Sequence, residues 1–404
     1  MKLCSSIINL LYINSIAIWQ CIKANFMKPI NKTVESFKES IFATISRLAH
    51  SKNAVNLGQG FPDFDGPEWI RTIARESFEG KNQYAPSMGV KELRESISNY
   101  YRDFYELEYD LNEQITVTNG ATEAIFCSAL ALINPGDEVI VLEPFYDSYI
   151  AAIELAGGIP VPVTLYAPEF KFKMDELQNA FSSKTKLVFL NSPHNPTGKV
   201  FSQEELSSLC DLVIKHDAYI LSDEVYEFLT FKNSKHLPVA SLSNMKERTI
   251  TISSAGKTYG LTGWKIGWIC SSSEISHAIR MVHQFNTFSV CTPLQYTVAK
   301  ALKEIKEYVP SFKEQYSNLR SQLVDGLENL GYNPIPPSGT YFTLIPTPEG
   351  KTDIEYCKSL IEQKSVATIP LSPFYLNSKE GEGYVRFCFA KKKETLEKAL
   401  KNLS

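Results

Sequence analysis

The sequence predicts an α/β protein, with a large domain built on a mostly parallel sheet sandwiched by helices and a small α+β domain beside it. Three observations lead there. From about Glu68 to Ala299, short apolar runs alternate with helical stretches, the order that builds parallel sheets covered on both faces. Beyond residue 300 that alternation stops, and two strand-like and two helix-like segments follow a long helical stretch. The chain has 404 residues, too many for one compact layer, and its 44% apolar and 21% charged residues are those of an ordinary soluble globular protein.

Taken in order, Thr33–His50 reads as a helix with Phe37, Ile41, Ile45 and Leu48 on one stripe. The Gly/Pro-rich run Asn56–Pro67 has too little periodicity for an element and reads as a crossing segment. Strands are expected at Gln114–Thr118, Glu138–Leu142, Lys186–Leu190, Tyr219–Ser222, Thr249–Ile252 and Ile266–Cys270. A helical stretch from about Thr297 to Leu330 leads out of the large domain. Gly339–Ile345 and Gly383–Ala390 then read as strands, and Asp353–Lys364 and Lys391–Leu403 as helices. The expected organisation is an apolar extension over residues 1–32, a helix and crossing segment of the small domain over 33–67, the large domain over 68–300 and the rest of the small domain over 301–404. Repeats, heptads and low-complexity linkers are absent.

A net charge of −4 argues against a nucleic-acid-binding surface, for which a strongly basic domain is expected. The eight cysteines are scattered without a Cys-x-x-Cys pair, which suits a reducing, cytoplasmic setting and predicts neither a disulfide framework nor a zinc knuckle. The six histidines form no His-x-x-x-His pair, so no metal is expected. Residues 1–34 contain no Asp or Glu, and Ile7–Trp19 is largely apolar behind Lys2, a pattern that mimics a signal peptide or short anchor. Cys21-Ile-Lys-Ala24 is a poor cleavage site and the run is short for a spanning helix. The stretch therefore reads as translation from an upstream start with Met27 as the natural first residue. Targeting, with a membrane association, is the alternative.

Ligands of open parallel sheets sit beyond the carboxyl ends of the strands. Here four strands in turn end in polar groups: Asn119-Gly-Ala-Thr-Glu-Ala124, Asn191-Ser-Pro-His-Asn-Pro-Thr-Gly198, Asp223-Glu-Val-Tyr226 and Ser253-Ser-Ala-Gly-Lys257. Any one is commonplace; four in this order, ahead of Thr262-Gly-Trp-Lys-Ile-Gly-Trp268, are not. Lys257 lies in a small-residue turn after an apolar strand, where a desolvated amine among other cations becomes a nucleophile. Gly120, Ala121 and Thr122 open an apolar helix, whose free N–H groups suit a phosphate. Val385, Phe387 and Phe389 share one strand face, so Arg386 points to the other, where a guanidinium can clamp a carboxylate.

With these motifs, the chain from about Val34 to its C-terminus resembles class I/II, fold-type I pyridoxal-phosphate (PLP) aminotransferases. The segments 58–67, 82–86, 283–290, 338–342 and 369–375 are similar to the branch of kynurenine (glutamine transaminase K-like) and bacterial methionine aminotransferases. The resemblance implies a seven-stranded sheet, PLP on Lys257, and Asp223 against the pyridine nitrogen. It implies Tyr226 and Asn195 on the phenolic oxygen, Tyr146 stacked on the ring, and Gly120, Ala121, Thr122, Ser254 and Lys265 around the phosphate. Many relatives have Arg where Lys265 stands. Phe145 is the stacking candidate if the register is shifted by one. Tyr84 would reach the phosphate of a partner subunit, making a homodimer with shared active sites. For the substrate, Arg386 and Gly60 would meet the carboxylate, with Asn195 close by, and Phe42, Phe288 and Phe374 would line the side-chain pocket.

The activity implied is transfer of an amino group from a hydrophobic, aromatic or sulfur-containing L-amino acid (methionine, phenylalanine, tyrosine, kynurenine, glutamine among the candidates) to a 2-oxo acid. A β-lyase acting on cysteine S-conjugates keeps the same fold and lysine. A non-enzymatic PLP-sensing regulator is disfavoured, because the N-terminal extension is too short and apolar for a DNA-binding module.

Overall fold

The computed structural model of the chain describes residues 28–231 and 233–404. The expectations for Ile7–Trp19, the Met27 start and most of the 1–32 extension lie outside the described residues. Among the described residues, no helix is long and apolar enough to cross a membrane. The described residues up to Lys38 belong to a different compact unit from Glu39–Ser404, and the short helix Lys32–Ser36 lies among them.

Among the described residues there are twelve strands: β1 (Val55–Asn56), β2 (Ile115–Asn119), β3 (Glu138–Glu143), β4 (Ile159–Thr164), β5 (Thr185–Asn191), β6 (Tyr219–Asp223), β7 (Thr249–Ser254), β8 (Ile266–Cys270), β9 (Phe342–Pro346), β10 (Val366–Ala367), β11 (Ile369–Pro370) and β12 (Tyr384–Cys388). Seven of them make one sheet in the order β2-β8-β7-β6-β5-β3-β4. Within it β8 alone runs against its neighbours, antiparallel to both β2 and β7. The carboxyl ends of β2, β5, β6 and β7 therefore share one edge, and the reversed β8 brings its start, next to Lys265, to the same edge.

The sheet is buried on both faces, which explains its continuous apolar runs. Val139, Val141, Leu187, Phe189, Ile250 and Ile252 pack on one side with the helices Gly120–Leu132, Ser148–Leu155 and Ser273–Asn286. Ile140, Leu142, Val188, Leu190, Ile220 and Trp268 pack on the other.

Sequence pattern did not mark β4, because Ile159-Pro-Val-Pro-Val-Thr carries two prolines. It is nonetheless a strand, at the sheet's edge. N–H groups of residues two apart point the same way, so Pro160 and Pro162 both withhold donors on the open side. The N–H of Ile159 and of Leu165 meanwhile bond β3 and the residue before it.

Two long helices expected as single pieces are each divided. Instead of Thr33–His50 there are Lys32–Ser36 and Ile41–Ser51, with Phe37 and Ser40 in extended backbone. Instead of Thr297–Leu330 there are Thr292–Lys303 and Ile305–Asn329, parted at Glu304. The crossing segment does hold an element, the two-residue β1, which pairs parallel with β10. A three-stranded sheet, β11-β12-β9, carries Arg386 on its middle strand between Ile369 and Leu344.

Candidate active site

A cavity of about 300 Å³ opens at the common strand edge, lined among others by Phe42, Gly60, Gly120, Thr122, Tyr146, Asn195, Asp223, Tyr226, Ser254, Lys257, Lys265 and Arg386. That volume is at the lower end of the range that holds small ligands.

At one end the chain builds a cradle. The helix Gly120–Leu132 begins directly after β2, and its first residue takes φ +73°, a left-handed conformation that glycine adopts at little cost. A Cβ on Gly120 would come within 3.2 Å of the Lys265 side chain. A Cβ on Gly267 would come within 2.7 Å of the Gly120 carbonyl carbon, so β8 can lie against the helix start only without one. Lys265 Nζ stands 3.4 Å from Thr122 Oγ1. Free helix N–H groups, hydroxyls of Thr122 and Ser254 and one ammonium form a donor set with the chemistry of a phosphate site.

In the middle, Lys257 Nζ donates to the Tyr341 hydroxyl (2.8 Å) and to the Gly60 carbonyl (3.3 Å). Burial, together with the cations Arg386 and Lys265, lowers its amine to a pKa of about 8. Asp223, at the end of β6, is raised by burial to about 6, although Tyr149 donates to it at 2.7 Å. Opposite a cation, such as a protonated ring nitrogen, its carboxylate would be stabilised. Asn191 supports this corner: its Nδ2 donates to the Asp223 carbonyl (2.8 Å) and its Oδ1 accepts from the Asn195 N–H (2.7 Å).

At the other end Arg386, only 1% exposed, donates to Asn195 Oδ1 (2.7 Å) and to the Gly58 carbonyl (2.9 Å). Its guanidinium carbon lies 3.9 Å from the Phe342 ring centre and 5.2 Å from that of Phe42. Nε has no partner, and among the described residues Arg386 makes no ion pair. With neutral acceptors alone in hydrogen-bond contact, this buried cation has no counter-charge at ion-pair distance, Asp147 acting on it only from farther off. A substrate carboxylate is the natural one.

The chosen residues thus converge, with three exceptions. Phe374 is 2% exposed and sits behind Phe42, ring centres 5.6 Å apart, so it backs the pocket wall and does not line the cavity. Phe288, at φ +65° just past the helix Ser273–Asn286, points away from this chain's cavity and packs edge-on to Tyr84 at 5.5 Å. Tyr84 is 84% exposed and is also outside it. Of the alternative pair, Tyr146 lines the cavity while Phe145 is in the core.

Three contributors escaped sequence reasoning: Tyr149, Tyr341 and Phe342. Tyr149 had a signal, lying one helical turn after Tyr146. Tyr341 and Phe342 are adjacent and both serve the site. Tyr341 precedes β9, whose first residue is Phe342, so strand alternation does not govern the pair.

Two buried groups, Glu123/Cys127/His283 and Glu224/Glu227/His236, bring possible metal-ligand atoms within 4.8 Å of one another. Every residue of both groups is already engaged through at least one of these atoms, although His236 Nδ1 has no partner. Glu123 meets His283 (2.9 Å) and the Asn119 N–H (2.5 Å). Glu224 meets Ser222 and His236 (2.7 and 3.0 Å), and Glu227 meets Ser253 (2.6 Å) and Tyr100. They read as hydrogen-bond networks.

The model of the family "aminotransferase class I and II" matches residues 52–403. The chain is 41% identical to the kynurenine–oxoglutarate transaminase of Dictyostelium discoideum, over 92% of this chain and 95% of that one. A crystal structure from Escherichia coli, described as identifying a methionine aminotransferase function, superposes with a TM-score of 0.90 at 39% identity, covering 93% of this chain and 99% of that one. The N-succinyldiaminopimelate aminotransferase of Mycobacterium tuberculosis gives 0.90 at 38% identity over the same shares.

Proposed function

The chain belongs to the aminotransferase class I and II family, and on that footing we propose that it is a PLP-dependent enzyme taking amino groups from hydrophobic, aromatic or sulfur-containing amino acids. When bound, PLP supplies an aldehyde that takes up an amino group and a ring that draws away the electron pair left at the substrate's Cα. The donor set supports its placement: the Gly120–Thr122 helix start with Ser254 and Lys265 for the phosphate, and Asp223 for the ring nitrogen. Tyr226 and Asn195 are assigned to the phenolic oxygen, Tyr146 to the ring face and Lys257 to the aldehyde carbon.

Lys257 would hold the cofactor. When not so engaged, its amine would take the proton from the substrate's Cα as general base and hold it as an ammonium for return as general acid. A pKa of about 8 keeps an appreciable share neutral near pH 7, which a base requires. Arg386 and the backbone at Gly60 orient the substrate carboxylate, and the aromatic walls exclude water from the reacting bond.

One observation carries the substrate class. Among the described residues lining the cavity, Arg386 is the sole guanidinium, and the remaining wall includes Phe42, Phe342, Tyr146 and Ile125. One guanidinium serves the carboxylate common to all amino acids and leaves none for a second acid. Two of the relatives are named as kynurenine and methionine aminotransferases, which supports this class, while others are named for N-succinyldiaminopimelate and aspartate.

The test is single turnover of PLP-loaded protein with methionine, phenylalanine, kynurenine, glutamine and aspartate, followed by absorbance to the pyridoxamine phosphate form. Methionine or an aromatic donor should convert fastest. Preference for aspartate or glutamate would overturn the pocket argument, and ammonia and pyruvate released from a cysteine S-conjugate without an acceptor would establish the lyase instead.

Tyr84 and Phe288 are assigned to the cavity of a second copy in a homodimer, a reading their exposure supports. Tyr84→Phe should then weaken PLP retention although the residue is outside its own cavity; unchanged retention removes it from the site.

A further inference from the structure

We propose that Tyr341 is a positioning residue for the Lys257 amine, holding it through its hydroxyl where it can take up the proton leaving the substrate's Cα. The proposal rests on the PLP reading above.

The hydroxyl of Tyr341 has one proton and two lone pairs. It lies 2.6 Å from the carbonyl oxygen of Gly60, which can only accept, so the proton is committed there. The contact to Lys257 Nζ at 2.8 Å must then be a donation from the amine to a Tyr341 lone pair. A second N–H of Lys257 has the Gly60 carbonyl as its partner, at 3.3 Å. A neutral amine has two N–H bonds and one lone pair. With both N–H bonds committed, the lone pair occupies the tetrahedral position left on a nitrogen that lines the cavity. Without such partners, a free lysine explores many rotamers.

The ring is fixed as firmly as the hydroxyl. Tyr341 is 1% exposed and packs edge-on to Tyr226 (5.2 Å), against Phe342 (4.7 Å) and nearly parallel to Tyr316 (6.1 Å). The residue joins three parts of the site: the catalytic amine, the crossing segment at Gly60, and β9, which begins with the pocket residue Phe342.

In the step served, the Cα–H bond breaks and its electron pair remains on the substrate joined to the cofactor. The proton forms a third N–H bond on Lys257. That proton is then delivered to the cofactor's former aldehyde carbon, so the amine is regenerated and no redox partner is needed. Tyr341 neither gains nor loses a proton.

The test is Tyr341→Phe, which removes one oxygen and keeps the ring. Two readouts separate positioning from a merely structural role. The first uses cofactor-free protein: the pH midpoint for acylation of Lys257, followed by peptide mass. Loss of an acceptor destabilises the ammonium, so the midpoint should fall by about half to one pH unit. The other groups acting on Lys257 (Asp223, Lys265, Arg386 and Cys388) stay in place, as does the adjacent Tyr226. The second uses loaded enzyme: kcat should fall about 10- to 100-fold with KM for the donor changed less than threefold, and the Cα-deuterium isotope effect should grow. An unmoved midpoint, or turnover within twofold of wild type, overturns the proposal. If PLP fails to attach to Lys257 in the wild type, the functional reading falls, while the acylation midpoint still decides the Tyr341 contact. Should Tyr341→Phe not fold, Tyr341→Met carries both measurements.

Discussion

The two ends of the cavity are built on opposite principles. The cradle end draws on two segments and is backbone-rich: Gly120, Ala121 and Thr122 are consecutive, and Ser254 and Lys265 flank the connection between adjacent strands. Its one formal charge, on Lys265, is exposed. The guanidinium end is assembled from segments more than 100 residues apart, Gly58, Asn195 and Arg386, and its charge is fully buried among aromatic rings. A dispersed, desolvated charge carries more energy per group than a shared, solvated one. The cradle should therefore tolerate losing a member, and the guanidinium end should not.

Arg386→Ala is expected to have the largest effect. It should lower kcat/KM for every donor by about 10²- to 10³-fold, the scale of a desolvated charge-assisted contact, while PLP affinity stays within about twofold. A comparable loss of PLP affinity would break the distinction between the ends.

Next is the pH profile of PLP capture, which reads Lys257 between the two ends. Capture requires neutral amine, so the rate should rise about tenfold per pH unit below pH 8 and level off above it. Both cations depress this amine, Arg386 more than Lys265. The midpoint should thus move upward more in the Arg386 variant than in Lys265→Ala. Linkage works in the same direction. Between about pH 8 and 10.5 the unfolded chain holds a proton on this lysine that the folded one has released, so its contribution to stability improves as pH rises through that window.

Gly120→Ala should weaken PLP binding about tenfold, since alanine at φ +73° costs on the order of 1 kcal/mol and its Cβ would crowd Lys265. Equilibrium titration of PLP absorbance checks it. The smallest effect is expected from Lys265→Ala, about three- to tenfold in PLP affinity, shrinking with added salt because the charge is exposed. A salt-independent loss would mean that Lys265 acts through packing.

Legibility in the sequence follows the same division. The cradle, Asp223 and Lys257 were readable because each is a short motif after an apolar strand, and strand ends of a parallel sheet fall on one edge. Arg386 was readable because alternation with Val385, Phe387 and Phe389 told its face. The aromatic wall was not. Phe42 lines the cavity, but Phe374 lies one layer behind it and Phe288 lies outside. Apolar rings look alike in sequence whether they line a cavity or pack behind one. Tyr341 and Phe342 were hidden because the strand begins only at Phe342, a boundary that sequence does not announce.

The sequence by itself determined the elements and the chemistry at their ends: which runs become strands, which helix begins with free N–H groups, which lysine lies in a small-residue turn. Those are local properties, set by periodicity, glycine and side-chain type within a few residues. The tertiary structure alone decided that Arg386 is a buried cation without an ion pair among the described residues and that Lys257 is held by Tyr341 and Gly60. Only the fold reveals, too, that a proline-bearing segment completes the sheet, because Pro160 and Pro162 face its open edge. Each depends on contacts between segments far apart in the chain, and desolvation, hydrogen-bond partners and edge position come into being only when those segments meet.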